Sequence, residues 1–174
     1  MRLRLSANNI RQMKLRIPKL SVYQIVLLAL TVILVIACIV ATLICLPSLP
    51  DKIPTHYGVG GSVDRYGGRA SAFSIPVINL LMLIMFGLFI LSPNILENPN
   101  TLKPLDPRFK PLIAKETLSM LIECGFLVTL LFDYMQAFIL TQHPLKLLGV
   151  WIIVGLLLVI SIYRSIRLSK YGLK

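Results

Sequence analysis

A chain of 174 residues that is 56% hydrophobic and 14% charged, with a mean hydropathy of +0.81, is not composed like a soluble domain, in which roughly a quarter of residues are charged. Its net charge of +11 would suit nucleic acid, but the placement of that charge points elsewhere. Cys38, Cys45 and Cys124 all lie inside apolar runs, which excludes a secreted disulfide framework.

In chain order, residues 1–21 form a basic segment with Arg2, Arg4, Arg11, Lys14, Arg16 and Lys19 and no acid. Ile10, Met13 and Ile17 recur at helical spacing, so the segment is either a short helix lying on the inner membrane face or a basic tail that fixes topology. Residues 22–46 contain no charge and exceed the roughly 20 residues that a spanning helix needs. Val35-Ile36-Ala37-Cys38 loosely matches a lipoprotein box, yet the apolar run continues past Cys38, as an uncleaved helix requires.

Residues 47–71 break the pattern and form the outer loop. Pro47, Pro50 and Pro54 push the backbone toward extended conformations, and Gly58, Gly60, Gly61, Gly67 and Gly68 permit tight turns. Residues 72–91 form the second span, which contains Asn79. Together, residues 22–91 make a first helical hairpin. Residues 92–116 read as a loop because of Pro93, Pro99, Pro104, Pro107 and Pro111. Residues 117–163 make a second helical hairpin. Its third span, 118–140, carries Glu123 and Asp133, and its fourth, 147–162, ends at Tyr163 and Arg164. Residues 164–174 read as a basic tail.

Lys and Arg placement orients the chain. The N-terminal segment, the second loop (Lys103, Arg108, Lys110, Lys115) and the C-terminal tail (Arg164, Arg167, Lys170, Lys174) carry fourteen positive residues, against four on the other side: Lys52, Arg65, Arg69 and Lys146. Both termini are therefore expected in the cytoplasm of a multi-pass cell-membrane protein, with the 47–71 loop outside. Anionic inner-leaflet lipid accounts for the basic balance without nucleic acid. Spanning backbone must satisfy its own hydrogen bonds, and these runs lack the alternation of barrel strands. The expected fold class is an all-α membrane protein: a four-helix antiparallel transmembrane bundle with an extracytoplasmic Gly/Pro-rich loop of short extended pieces.

The loop residues Leu49-Pro50-Asp51-Lys52-Ile53-Pro54-Thr55-His56-Tyr57 and Gly61-Ser62-Val63-Asp64-Arg65-Tyr66-Gly67-Gly68-Arg69 resemble the outer-loop signature of a bacterial membrane family of unknown function that includes SdpI-like immunity proteins. Gly58 stands where that signature has asparagine, and Arg69 where it has lysine. The resemblance implies an integral membrane protein that protects against a secreted toxin or relays its presence to a cytoplasmic regulator.

The residues carry chemistry in two places. On the loop, His56, Tyr57, Asp64, Arg65, Tyr66 and Arg69 are the candidate binding residues. His56 and Asp64 are expected to pair and hold the loop shape. His56, Asp64, Asp51 and His143 show no metal-ligand spacing, so neither a metal, a cofactor nor a catalytic residue is expected. Inside the membrane, Asn79, Glu123 and Asp133 are the polar residues that cost most to bury. Glu123 and Asp133 lie about 15 Å apart along one helix, too far for a paired-carboxylate site. Asn79 and Asp133 share a depth roughly 10–12 Å below the outer surface, which predicts a hydrogen bond between second and third helices. Glu123 is expected to meet Ser161 or Arg164 on the fourth. The expected function is binding, namely immunity to or sensing of an extracellular peptide or toxin, with membrane lipids and a cytoplasmic regulator as further partners. The alternative is a small transporter or channel component that uses the intramembrane carboxylates.

Overall fold

The computed structural model describes residues 19–91 and 110–172. The amphipathic reading of residues 1–18 and most of the 92–116 loop lie outside the described residues. Four helices long and apolar enough to cross a membrane run up and down: α1 (Val22–Cys45), α2 (Ser74–Leu91), α3 (Lys110–Thr141) and α4 (Leu147–Gly172). The chain is thus an all-α, multi-pass membrane bundle, with one two-stranded antiparallel sheet, β1 (Lys52–Tyr57) and β2 (Val63–Gly68), between α1 and α2.

The first helix starts at a capping box. The Ser21 side chain accepts from the Gln24 backbone, and the Gln24 side chain accepts from the Ser21 N–H at 2.8 Å, so two orphan donors are satisfied at once. The residues that α1 buries are Gln24, Thr31, Val35, Cys38 and Thr42, while Val22, Ile25, Ile33, Ile36 and Ile44 are exposed. This is the polarity of a soluble helix turned inside out. Lipid tails solvate the large apolar side chains, so small and polar residues take the interhelical seam.

At the end of α1, Pro47 opens a 3₁₀ turn (Leu46–Ser48), and the chain enters the hairpin. The strands pair Lys52 with Gly68, Ile53 with Gly67, Pro54 with Tyr66, His56 with Arg65 and Tyr57 with Val63, with irregularities on either side of His56. The short extended pieces expected from sequence are therefore one irregular hairpin. Gly58 N–H donates to the Ser62 carbonyl at 2.8 Å and Gly61 N–H to the Gly58 carbonyl at 2.9 Å, closing the turn. Gly61 has φ +77°, and a Cβ there would stand 2.5 Å from the Leu145 carbonyl oxygen. Glycine is required twice over: by the left-handed backbone and by direct contact with the α3–α4 connection.

The hairpin is packed down on the bundle. Leu49, Ile53, Ala72 and Ile139 are buried together, with Leu46, Tyr57, Ile75 and Leu140 against them. A second 3₁₀ turn (Arg69–Phe73) leads into α2. Helix α3 is the hub and packs on α1, α2 and α4; α4 packs chiefly on α3. Two close approaches set this arrangement. Gly149 lies against the Tyr134 ring, where any Cβ would collide, and Tyr134 O–H donates to the Lys146 carbonyl at 2.9 Å. Gly125 lies against the Phe86 ring.

Two boundaries differ from the sequence reading. Helix α3 begins at Lys110, within the stretch read as loop. The helix tolerates Pro111 in its first turn, where the missing N–H has no intrahelical partner to lose, and residues 112–117 hold no proline or glycine. Helix α4 runs to Gly172, so Arg164, Arg167 and Lys170 stand on a helix and not on a tail. No proline or glycine interrupts residues 156–171, and straight-chain residues such as Leu, Arg and Lys favour helix.

Candidate functional site

Three polar groupings occupy the described structure, and the hairpin is the first. His56 Nδ1 and Asp64 Oδ1 are 2.6 Å apart, on side chains 63% and 49% exposed. The irregular register at His56 brings this pair together across the strands. Tyr66 is 60% exposed, and Arg65 and Val59 also face outward. Arg69 Nη2 donates to Asp51 Oδ1 at 3.0 Å, bracing the hairpin root, while its Nε has no partner among the described residues. Tyr57 differs from its neighbours. It turns toward the cluster beneath, and its buried hydroxyl has no partner among the described residues. Burial pushes the Tyr57 phenol above its ordinary pKa, and Tyr66 adds to the shift. Of the six candidate loop residues, then, His56, Asp64, Arg65 and Tyr66 present a face, Arg69 braces it and Tyr57 anchors it.

Directly below lies the second grouping, arranged as two rungs. In the rung nearer the hairpin, the Gln136 side chain, 2% exposed, donates from Nε2 to Thr42 Oγ1 and to the Ala72 carbonyl, both at 2.9 Å. Thr42 Oγ1 in turn donates to the Cys38 carbonyl at 2.8 Å. In the deeper rung, Asn79, fully buried, donates from Nδ2 to Asp133 Oδ1 at 2.8 Å, which is the bond expected from matched depth. The Cys38 side chain also lies beside Asp133. Each rung leaves one amide oxygen, Gln136 Oε1 and Asn79 Oδ1, buried and unpartnered among the described residues.

The third grouping lies at the other end of the bundle. Arg164 of α4 donates to Glu123 from Nε at 2.9 Å and also from Nη2, and from Nη1 to Glu116. Arg167 Nη2 lies 2.8 Å from Glu116. Tyr23 O–H of α1 donates to Glu123 at 3.2 Å, and nearby Gln24 Nε2 donates to Ser119 Oγ at 3.0 Å. Of the two partners expected for Glu123, Arg164 is the one it meets; Ser161 instead lies 3.5 Å from the Cys124 sulfur. Both carboxylates are matched by guanidinium groups.

Sequence reasoning missed Gln136, Thr42 and Glu116. Gln136 was open to detection, since it follows Asp133 by three residues and so shares its helix face. Glu116 was hidden by the proline-rich stretch before it.

The sequence matches a domain of unknown function, DUF1648, over residues 33–80. That span covers the second half of α1, the whole hairpin and the first turns of α2. It includes Cys38, Thr42, the exposed hairpin face and Asn79, and it excludes α3 and α4. No curated protein and no solved structure matches the chain.

Proposed function

We propose that this chain is a cell-membrane protein with both termini cytoplasmic, whose external hairpin binds a secreted peptide or protein toxin, as an SdpI-like immunity or sensing protein. The observation that carries this reading is the hairpin itself. It is fixed to the bundle by buried apolar contacts at Leu49, Ile53 and Ala72 and by Gly61 at its tip, yet it turns His56, Asp64, Arg65 and Tyr66 outward. A preorganised face of one aromatic and several charged groups suits recognition at low entropic cost. The positive residues on the opposite side would meet anionic lipid and, in a sensing role, a cytoplasmic regulator.

Two experiments test this. Single cysteines at Ser62 and at Asn100 should label oppositely with an impermeant maleimide in intact cells, Ser62 alone reacting; the reverse result inverts the topology. Cells lacking the gene should be inhibited by conditioned medium of their own strain. Wild-type protein should restore growth, and a Tyr66→Ala, Arg65→Ala double variant present at equal level should not. Full protection by that variant would remove the hairpin from the function.

A second reading, transport, is favoured by one observation: Asp133 is an acid within the bundle bonded only to neutral groups. Glu123 is less suited to a relay because Arg164 neutralises it. Flux in liposomes that Asp133→Asn abolishes would support transport.

A further inference from the structure

The two rungs beneath the hairpin contain an imbalance. Asn79 and Gln136 are both more than nine-tenths buried, and each spends its amide N–H₂ on a partner while its oxygen has none among the described residues. Buried polar groups are almost always satisfied, so each orphaned acceptor calls for a donor or a cation. One carboxylate links the two rungs along α3. Asn79 is bonded to Asp133, and Gln136 follows Asp133 by one turn on the same face of α3, a rise of about 4.5 Å. The opposite wall repeats this spacing. Cys38 of α1 touches Asp133, and Thr42, one turn on, touches Gln136. Asp133 accepts from Asn79, and a carboxylate offers about four lone-pair sites, so it retains capacity.

We infer that Asp133, Asn79 Oδ1 and Gln136 Oε1 form an intramembrane site for a hard monovalent cation of the sodium type, under the hairpin. The ligands are all oxygens, which hard cations prefer. One carboxylate balances one positive charge; a divalent ion would leave a net charge in the bilayer, where charge is costly. The site also touches the hairpin, since Gln136 holds the Ala72 carbonyl in the 3₁₀ turn that follows β2. It stands apart from both readings above, since a resident ion requires neither a toxin nor net flux.

The test is equilibrium binding of radioactive sodium to purified full-length protein in lipid nanodiscs, with choline as the balancing cation. Wild-type protein should bind saturably, about one ion per chain, as one carboxylate dictates. Asp133→Asn should weaken binding at least roughly tenfold through loss of the only formal charge in the site. The exchange of Asn79→Asp with Asp133→Asn keeps one acid and one amide in hydrogen-bonding contact, and it should restore binding to within roughly tenfold of wild type. A wild-type protein without saturable sodium binding would overturn the inference and leave water as the partner of the two oxygens. Binding that is unchanged in folded Asp133→Asn, or absent from the folded exchange variant, would overturn it as well.

Discussion

Each end of this bundle holds acid within the helices, and the two ends treat it differently. At the end away from the hairpin, Glu116 and Glu123 are 6% exposed, and Arg164 and Arg167 bring two positive charges to match them. At the hairpin end, Asp133 has an amide and a thiol for partners and no cation among the described residues. The first arrangement is electrically closed and ties α3 to α4. The second is electrically open and lies against the two segments that flank the hairpin. Acids of the same type in one helix thus divide into a fastener and a site, and their neighbours, not their own chemistry, make the division.

The comparison breaks most easily at the closed end. Arg164→Ala leaves two buried carboxylates facing one remaining guanidinium among the described residues, and removing one partner of a buried pair typically costs about 3–5 kcal/mol. Arg164→Ala protein should unfold in detergent at much lower temperature than wild type, with α4 released first in hydrogen-exchange measurements. Unchanged stability would mean that water reaches the cluster and that the end is not closed.

The hairpin end has its own weak point at Gly61. An alanine there must adopt a left-handed backbone, at about 1–2 kcal/mol, and must also displace the Leu145 carbonyl. Gly61→Ala should therefore speed proteolysis between Gly58 and Ser62 and leave the four helices folded. Equal protease resistance would show that the tip does not seal this end.

Asp133→Asn should cost less than either. Interhelical polar contacts in membranes average about 0.6 kcal/mol and reach about 1.7, and Asn can still accept from Asn79. The expected outcome is a small loss of thermal stability, well below that of Arg164→Ala. A loss as large would make Asp133 a fastener too and erase the contrast.

The smallest effect is expected at Tyr57. Its hydroxyl has no partner among the described residues, so Tyr57→Phe should leave stability near neutral pH unchanged. Its phenol pKa is raised in the folded protein by burial. The folded state then holds its proton more tightly than the unfolded state, so this contribution is present below the ordinary tyrosine range near 10 and is lost as pH rises through the folded value. Thermal unfolding between pH 8 and 11 should show an alkaline loss that is smaller in Tyr57→Phe; identical profiles would mean that Tyr57 is not buried against the bundle.

How much of this was legible in the sequence depends on the distance over which each feature is decided. The spans were legible because bilayer thickness turns length and hydropathy into a direct test. The Asn79–Asp133 contact was legible for a related reason: in a membrane, residue number converts to depth, and polar groups at equal depth have few alternatives to one another. The hairpin was legible only as turn chemistry. Its register, and the need for glycine at Gly61, depend on a carbonyl 84 residues away at Leu145, and local pattern holds no trace of that. The α3 start was obscured because five prolines signal loop throughout 92–116, whereas a proline in a first helical turn signals nothing. Arg164 was legible as one of two partners for Glu123; what the sequence left open was the choice between it and Ser161, and the continuation of the helix to Gly172, which carries Arg167 to Glu116 as well, was not visible in it.

The pairing of Arg164 with Glu123 also sets an order of events during synthesis. Glu123 precedes Arg164 by 41 residues in the chain, so α3 emerges from the ribosome with its acids before their counter-charge exists. An isolated carboxylate at mid-span costs about 2.5–3.5 kcal/mol to insert, and α3 carries further polar groups at Ser119, Thr129, Asp133 and Gln136. Helix α4, which packs chiefly on α3, supplies the missing guanidinium. The second helical hairpin is therefore expected to enter the bilayer as a unit, with α3 held at the insertion machinery until α4 arrives. A chain truncated before Arg164 would present the cell with a span that quality control can recognise as unfinished.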